Sequence, residues 1–202
     1  MANTNSRTSK NHTYAIKYGF LGGPLVSRKF EELMKDAAFD SSQASEDADI
    51  IIAHSAGCWD LKQIKNAKIL LMIGMPLRNP SPKTSFQVNR ARTKEYFFNK
   101  HLVNGAQMSL LNTYYAITQP RRNLDIVKNA KNYQNSISIP DTKQIVFIAN
   151  KNDPWPHLDS KLQELMDSYN WTFIHLPGSH DDIWEHPERY VDIIKHYAKL
   201  LG

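Results

Sequence analysis

Ser55, Asp153 and His180 are the residues whose types and order could do chemistry together. Ser55 ends an apolar, β-branched run, Ile50-Ile51-Ile52-Ala53-His54, and is followed by Ala56 and Gly57. A small-x-Ser-x-small pattern after a buried strand reads as a nucleophile elbow, in which a tight turn exposes the serine before a helix begins. Small residues are required there because flanking side chains would clash as strand and helix close up. Gly57 meets that requirement directly, and Ala53 adds only one methyl where the motif usually has Gly. Serine is a weak nucleophile at neutral pH. It needs a histidine to take its proton, and a carboxylate to orient that histidine and stabilise the imidazolium. Asp153 and His180 supply those two groups.

Both sit where a strand should end. The run Ile145–Ala149 is followed by Asn150-Lys151-Asn152-Asp153-Pro154, and Thr172–Leu176 by Pro177-Gly178-Ser179-His180-Asp181-Asp182. Sites in open α/β sheets form at the carboxyl ends of strands. Five strands are expected: Tyr14–Tyr18, Asp49–Ala53, Ile69–Ile73, Ile145–Ala149 and Thr172–Leu176. Short apolar runs separated by helical stretches predict a parallel sheet buried on both faces. Val26, Phe30, Leu33, Met34 and Ala37 recur at helical spacing after Pro24. Leu158, Leu162, Leu165, Met166 and Tyr169 form a second stripe. Tyr190, Ile193, Ile194, Tyr197 and Leu201, opening at Pro187, form a third. Such stripes are core-packing faces.

Composition and charge bound the rest. The 202 residues are 41% hydrophobic and 22% charged, which suits one globular domain spanning 14–202 behind a flexible polar tail, 1–13. No apolar run could span a membrane and no apolar leader opens the chain. Cys58 is the one cysteine, which excludes an internal disulfide and suits a cytoplasmic location. The formal charge of +5 is uneven. From Arg78 to Lys131, ten Lys/Arg are opposed only by Glu95 and Asp125, a net +8; the remainder carries −3. We read 76–140 as a mostly helical, basic insertion after the third of the five strands. Its charge is either a solvated face or a docking surface for an acidic partner.

The ordered Ser, Asp and His, with their flanking motifs, resemble the α/β-hydrolase superfamily over nearly all of the chain from Tyr14 onward. Tyr18-Gly19-Phe20-Leu21-Gly22-Gly23 is similar to the family's His-Gly-x-x-Gly turn, with Tyr18 where His is common. His54-Ser55-Ala56-Gly57 resembles its His-Ser-x-Gly elbow, and Gly178-Ser179-His180 its closing strand-to-helix segment. The resemblance implies a three-layer fold with a mostly parallel central sheet. The segment Ala38–Ala48 is short, so the sheet is trimmed at its N-terminal side or carries a vestigial strand around Phe39. The resemblance also implies roles: Ser55 as nucleophile, His180 as general base and then acid, Asp153 as its orienting group, and the backbone N–H groups of Phe20 and Ala56 as the oxyanion hole.

Trp59, Trp155 and Trp184 are neighbours of the site in sequence that could line an apolar pocket or pack the core. His54 is read as structural. His157, His175 and His186 have no metal-ligand spacing, and Gly19–Gly23 has neither phosphate-loop nor dinucleotide spacing, so no metal and no cofactor are expected. The expected partner is a small acyl substrate, with no nucleic acid. Two functions stay open: a serine hydrolase acting on carboxylic esters, with amides or thioesters as further options, or a catalytically silent relative that binds an acidic partner through Arg121, Arg122 and the rest of the basic segment.

Overall fold

The computed structural model describes residues 11–19, 22–42, 44–59, 61, 64–75, 110–111, 113–125, 141–153, 164, 167–168 and 171–201. Six strands form one sheet in the order β2-β1-β3-β4-β5-β6, and all five pairings are parallel. They are β1 (Thr13–Lys17), β2 (Asp40–Ser41), β3 (Ile50–His54), β4 (Ile69–Ile73), β5 (Gln144–Asn150) and β6 (Thr172–Leu176). Among the described residues five helical segments flank them: α1 (Pro24–Asp36), a pair α2 (113–118) and α3 (120–125), and the C-terminal α4 (Asp182–Glu185) and α5 (Pro187–Lys199). No helix among the described residues is long and apolar enough to cross a membrane.

The central strands are continuous apolar runs because both their faces are covered. Ile51, Ala53, Leu70, Met72 and Phe147 point to one face, where Cys58, Leu61, Ile64 and Trp171 close over them. Ile50, Ile52, Leu71, Ile73, Val146 and Ile148 point to the other, against Phe30 and Met34 of α1 and Tyr190, Val191 and Ile194 of α5.

The vestigial strand expected around Phe39 is β2, two exposed residues paired to Thr13 and Tyr14. Thr13 itself belongs to β1, so the strand begins one residue before the expected domain boundary. The predicted stripe over Leu158–Tyr169 lies almost wholly outside the described residues. The helix expected directly after the elbow is instead a five-residue 3₁₀ turn, Ser55–Trp59. Only residues 55–68 connect β3 to β4. A 3₁₀ turn covers about 2.0 Å per residue against 1.5 Å for an α-helix, so it suits a short return path.

α1 ends in a Schellman motif. The Phe39 N–H donates to the Met34 carbonyl and the Ala38 N–H to the Lys35 carbonyl, each at 3.0 Å. This puts Ala38 at φ 62°, in the left-handed region that glycine prefers at this position. Ala38 is exposed, so its methyl contributes no packing. Ala38→Gly is therefore expected to raise unfolding free energy by about 1 kcal/mol in a urea titration.

Candidate active site

β3 delivers His54 as its last residue, and Ser55 follows at φ 55°. For a non-glycine residue that conformation costs about 1–2 kcal/mol, so the surroundings must hold it. Gly57 shows how closely: a Cβ there would lie 2.1 Å from the Lys17 carbonyl oxygen, so the elbow is pressed against the end of β1. From the other side, a Cβ on Gly19 would lie 2.6 Å from Ser55 Cβ and 3.1 Å from its Oγ. Only glycine lets the Tyr18–Gly22 turn come this near. Ser55 is partly exposed, while Ala53, Ala56, Gly57 and Cys58 around it are buried.

The loops after β5 and β6 are laced together. The Lys151 N–H donates to Leu176 O at 2.9 Å and the Asn152 N–H to Gly178 O at 3.1 Å. The side-chain amide of Asn150 donates to Ser179 O at 2.7 Å and accepts from the Tyr190 hydroxyl at 3.0 Å. The outcome is a short contact: His180 Nδ1–H donates to Asp153 Oδ2 at 2.7 Å, with both side chains buried. A proton held on Nδ1 leaves Nε2 as the basic nitrogen. Gly74, at the end of β4 with φ +56°, makes room for the pair. A Cβ there would lie 2.9 Å from Asp153 Oδ2 and 3.1 Å from His180 Nδ1. The carboxyl ends of β3, β4, β5 and β6 thus all contribute to one place.

Ser55 and His180 are linked through His54. The His54 Nε2–H donates to the His180 carbonyl at 2.9 Å, and the two rings lie 5.0 Å apart. Burial pushes the His54 pKa down to about 4, so the ring is neutral near pH 7. Asp181 lies on the His54 side, with Oδ1 3.9 Å from Nε2. Asp182 is engaged elsewhere, by the Tyr190 hydroxyl at 3.1 Å and Arg189 at 3.3 Å. Donor atoms of His54, His180 and Asp181 lie within 4.8 Å of one another. Because Nε2 of His54 already donates to a carbonyl, it has no lone pair to offer, and the trio does not fit a metal through that atom.

His54 also sets a pH dependence. In the unfolded chain it titrates near 6.5 and in the fold near 4. Between these values the unfolded state holds the extra proton, so stability is complete above pH 6.5 and falls as pH drops toward 4. His54→Gln keeps an N–H donor and does not titrate. Urea unfolding at pH 7 and at about pH 4.5 should show wild type losing about 2–3 kcal/mol more than this variant.

No protein-family model matches the sequence, and no curated protein does. Solved structures do. A candidate non-heme bromoperoxidase from Mycobacterium tuberculosis H37Rv superposes with a TM-score of 0.61 at 12% identity, over 96% of this chain and 94% of that one. The thioesterase domain from the curacin biosynthetic pathway gives 0.56 at 10% identity, over 92% and 91%. A carboxylesterase of the ammonia-oxidizing thaumarchaeon Nitrososphaera gargenis gives 0.55 at 11% identity, over 95% and 91%. The chain has the α/β-hydrolase fold.

On this α/β-hydrolase fold the remaining expected site residues are distributed as follows. Ala56 is buried directly after Ser55. Phe20 and Trp155 lie outside the described residues. Trp59 and Trp184 pack against core clusters on opposite faces of the sheet. Trp184 lies edge-on to His54 at 5.3 Å and to Phe30 at 6.1 Å. Tyr18, where the family commonly has His, turns its phenol to α1, 2.6 Å from Ser27 Oγ and 3.1 Å from Glu31 Oε1. Cys58 is fully buried and donates to Ala53 O at 3.2 Å. Burial pushes its thiol pKa well up, so it is a packing residue and not a reactive one.

Proposed function

We propose that this α/β-hydrolase-fold protein is a serine hydrolase that transfers acyl groups to water through an acyl-enzyme, with carboxylic esters as substrates. The observation that carries the reading is the buried 2.7 Å hydrogen bond between His180 and Asp153, together with a serine held at φ 55° directly after β3. A surface histidine or a turn-forming aspartate needs neither.

In this reading Ser55 Oγ attacks the ester carbonyl while His180 Nε2 takes its proton. Asp153 keeps the other ring proton on Nδ1 and stabilises the imidazolium. The tetrahedral oxyanion is met by the backbone N–H groups of Ala56 and Phe20. Each such donor is worth about 3 kcal/mol, because charge develops on that oxygen only in the transition state. His180 then returns the proton to the departing alcohol. A water molecule, deprotonated by the same nitrogen, releases the acid and restores Ser55.

Intact-mass labelling with a fluorophosphonate tests the reading on wild type, Ser55→Ala and His180→Ala. One adduct on wild type and none on either variant is expected, followed by turnover of p-nitrophenyl esters that depends on chain length. A folded wild type that takes up no probe overturns it. The alternative is a silent binder that uses the basic middle segment, Arg121 and Arg122 included, and much of that segment lies outside the described residues. Arg122 is half-buried and hydrogen-bonded to backbone carbonyls, which turns its charge inward.

A further inference from the structure

The Tyr18–Gly22 turn borders Ser55, and its carbonyl side is gripped by one side chain from the insertion. Arg122, on α3, donates from Nη1 to Gly22 O at 2.6 Å, and from Nη2 to Tyr18 O at 2.9 Å and Gly19 O at 3.3 Å. Gln119 Oε1 accepts from Nη1 at 3.0 Å, which orients the guanidinium. Its carbon lies 6.0 Å from the Tyr18 ring centroid. The same helix pair secures the next residues. The Leu25 N–H donates to the Tyr115 hydroxyl at 2.8 Å, and the Tyr115 ring occupies the space a Cβ on Gly23 would need, 2.4 Å away. Buried Asn123 donates to Tyr115 O at 3.1 Å and ties α3 to α2.

A peptide unit is planar, with its C=O and N–H pointing in opposite directions. Holding three carbonyls of one turn on the α3 side therefore fixes the direction of the amide edges opposite them. Gly19, in the middle of the gripped stretch, is the residue packed against Ser55. The peptide unit that starts at the Gly19 carbonyl ends in the N–H of Phe20, one of the two proposed oxyanion donors. A cationic hydrogen bond at a carbonyl also polarises the amide and strengthens its N–H as a donor. Arg122 is suited to this because its rigid planar fork holds donors on two separate nitrogens in a fixed geometry, whereas an ammonium offers all its donors from one point on a flexible stem.

We propose that Arg122 is a positioning residue for the transition state: the insertion supplies, through its guanidinium, the clamp that aims the turn beside Ser55 at the oxyanion. This rests on the serine-hydrolase reading. It assigns to the basic middle segment an internal role in turnover.

The test compares wild type with Arg122→Lys, Arg122→Ala and Arg121→Ala on p-nitrophenyl acetate, with fluorophosphonate labelling and thermal melts in parallel. Arg121 is exposed and outside the clamp, so Arg121→Ala should match wild type. Arg122→Lys keeps the charge and the stem but not the fork. Its kcat should fall about 10- to 100-fold with KM nearly unchanged, because misplacing a transition-state group lowers turnover and not ground-state binding. Guanidinium ion at sub-denaturing concentration should restore part of the kcat of Arg122→Ala.

A folded Arg122→Lys with wild-type kcat overturns the proposal. So does a loss confined to KM, which would make Arg122 a substrate-binding group. Should Arg122→Ala fail to fold, Arg122→Lys decides; should both fail, the contacts are structural and the positioning role is wrong. A wild type that takes up no fluorophosphonate overturns the serine-hydrolase reading itself, an outcome distinct from any loss confined to the Arg122 variants.

Discussion

Ser55→Ala is expected to abolish fluorophosphonate capture and to lower ester turnover by on the order of 10⁴- to 10⁶-fold, with the thermal melt unchanged. The size follows from what is removed. With the hydroxyl gone, no covalent intermediate can form, and only binding and oxyanion donors are left to favour attack by water. The unchanged melt follows from the backbone. Alanine meets the same penalty as serine at φ 55°, so the elbow keeps its strain. Ser55→Gly should be equally inactive but more stable by about 1 kcal/mol, because glycine adopts this conformation without cost. The difference in unfolding free energy between the two inactive variants reports the strain less the extra backbone entropy that glycine loses on folding. Appreciable ester turnover in either variant would mean that another group is the nucleophile.

Asp153→Asn is expected to lower kcat by about 10³- to 10⁴-fold while the fold persists. The carboxylate accepts the Nδ1–H of His180 at 2.7 Å, in a site with no exposed surface on the Asp153 side chain. An amide of the same shape can turn its NH₂ toward Nδ1. That moves the ring proton to Nε2, which then can no longer take one from Ser55. The readouts are kcat and the low-field proton resonance of the Nδ1–H, which should disappear. The neighbouring carboxylates do not substitute. Asp181 lies against His54, and Asp182 is held by Tyr190 and Arg189. A near-wild-type kcat in Asp153→Asn would remove Asp153 from the mechanism.

The fold was legible because parallel strands buried on both faces need no alternation. Ile69–Ile73 and Thr172–Leu176 were recognisable to the residue, and β3 and β5 to within one. β2 was nearly invisible, since its two residues are exposed and polar; only the short Ala38–Ala48 segment hinted at it. Ser55, Asp153 and His180 stand out as candidates in the sequence because each follows a strand end. The supporting groups do not. His54 holds the His180 carbonyl across 126 residues, and Arg122 holds the Gly22 carbonyl across 100. Side-chain contacts to distant backbone leave no periodicity in the chain. Gly74 belongs to no motif in the chain, and its reason is the space that Asp153 and His180 fill. The basic count from Arg78 to Lys131 registered charge but not direction, so an inward-facing Arg122 looked like part of a docking surface.

β6 forms the sheet edge opposite β2, and His180 is reached only after it. During synthesis the Ser55 turn therefore leaves the ribosome long before His180, the base of the proposed mechanism. In the proposed serine-hydrolase mechanism, Ser55 is an ordinary alcohol, slow to acylate, until β6 lies on β5. Parallel pairing between distant segments is slow to form, so that interval is appreciable on the timescale of translation. On that mechanism the nascent chain is shielded from being acylated while it is still folding, and a ribosome-stalled chain ending before Thr172 should take up no fluorophosphonate. If the proposed mechanism holds, reactivity is the last property this polypeptide acquires.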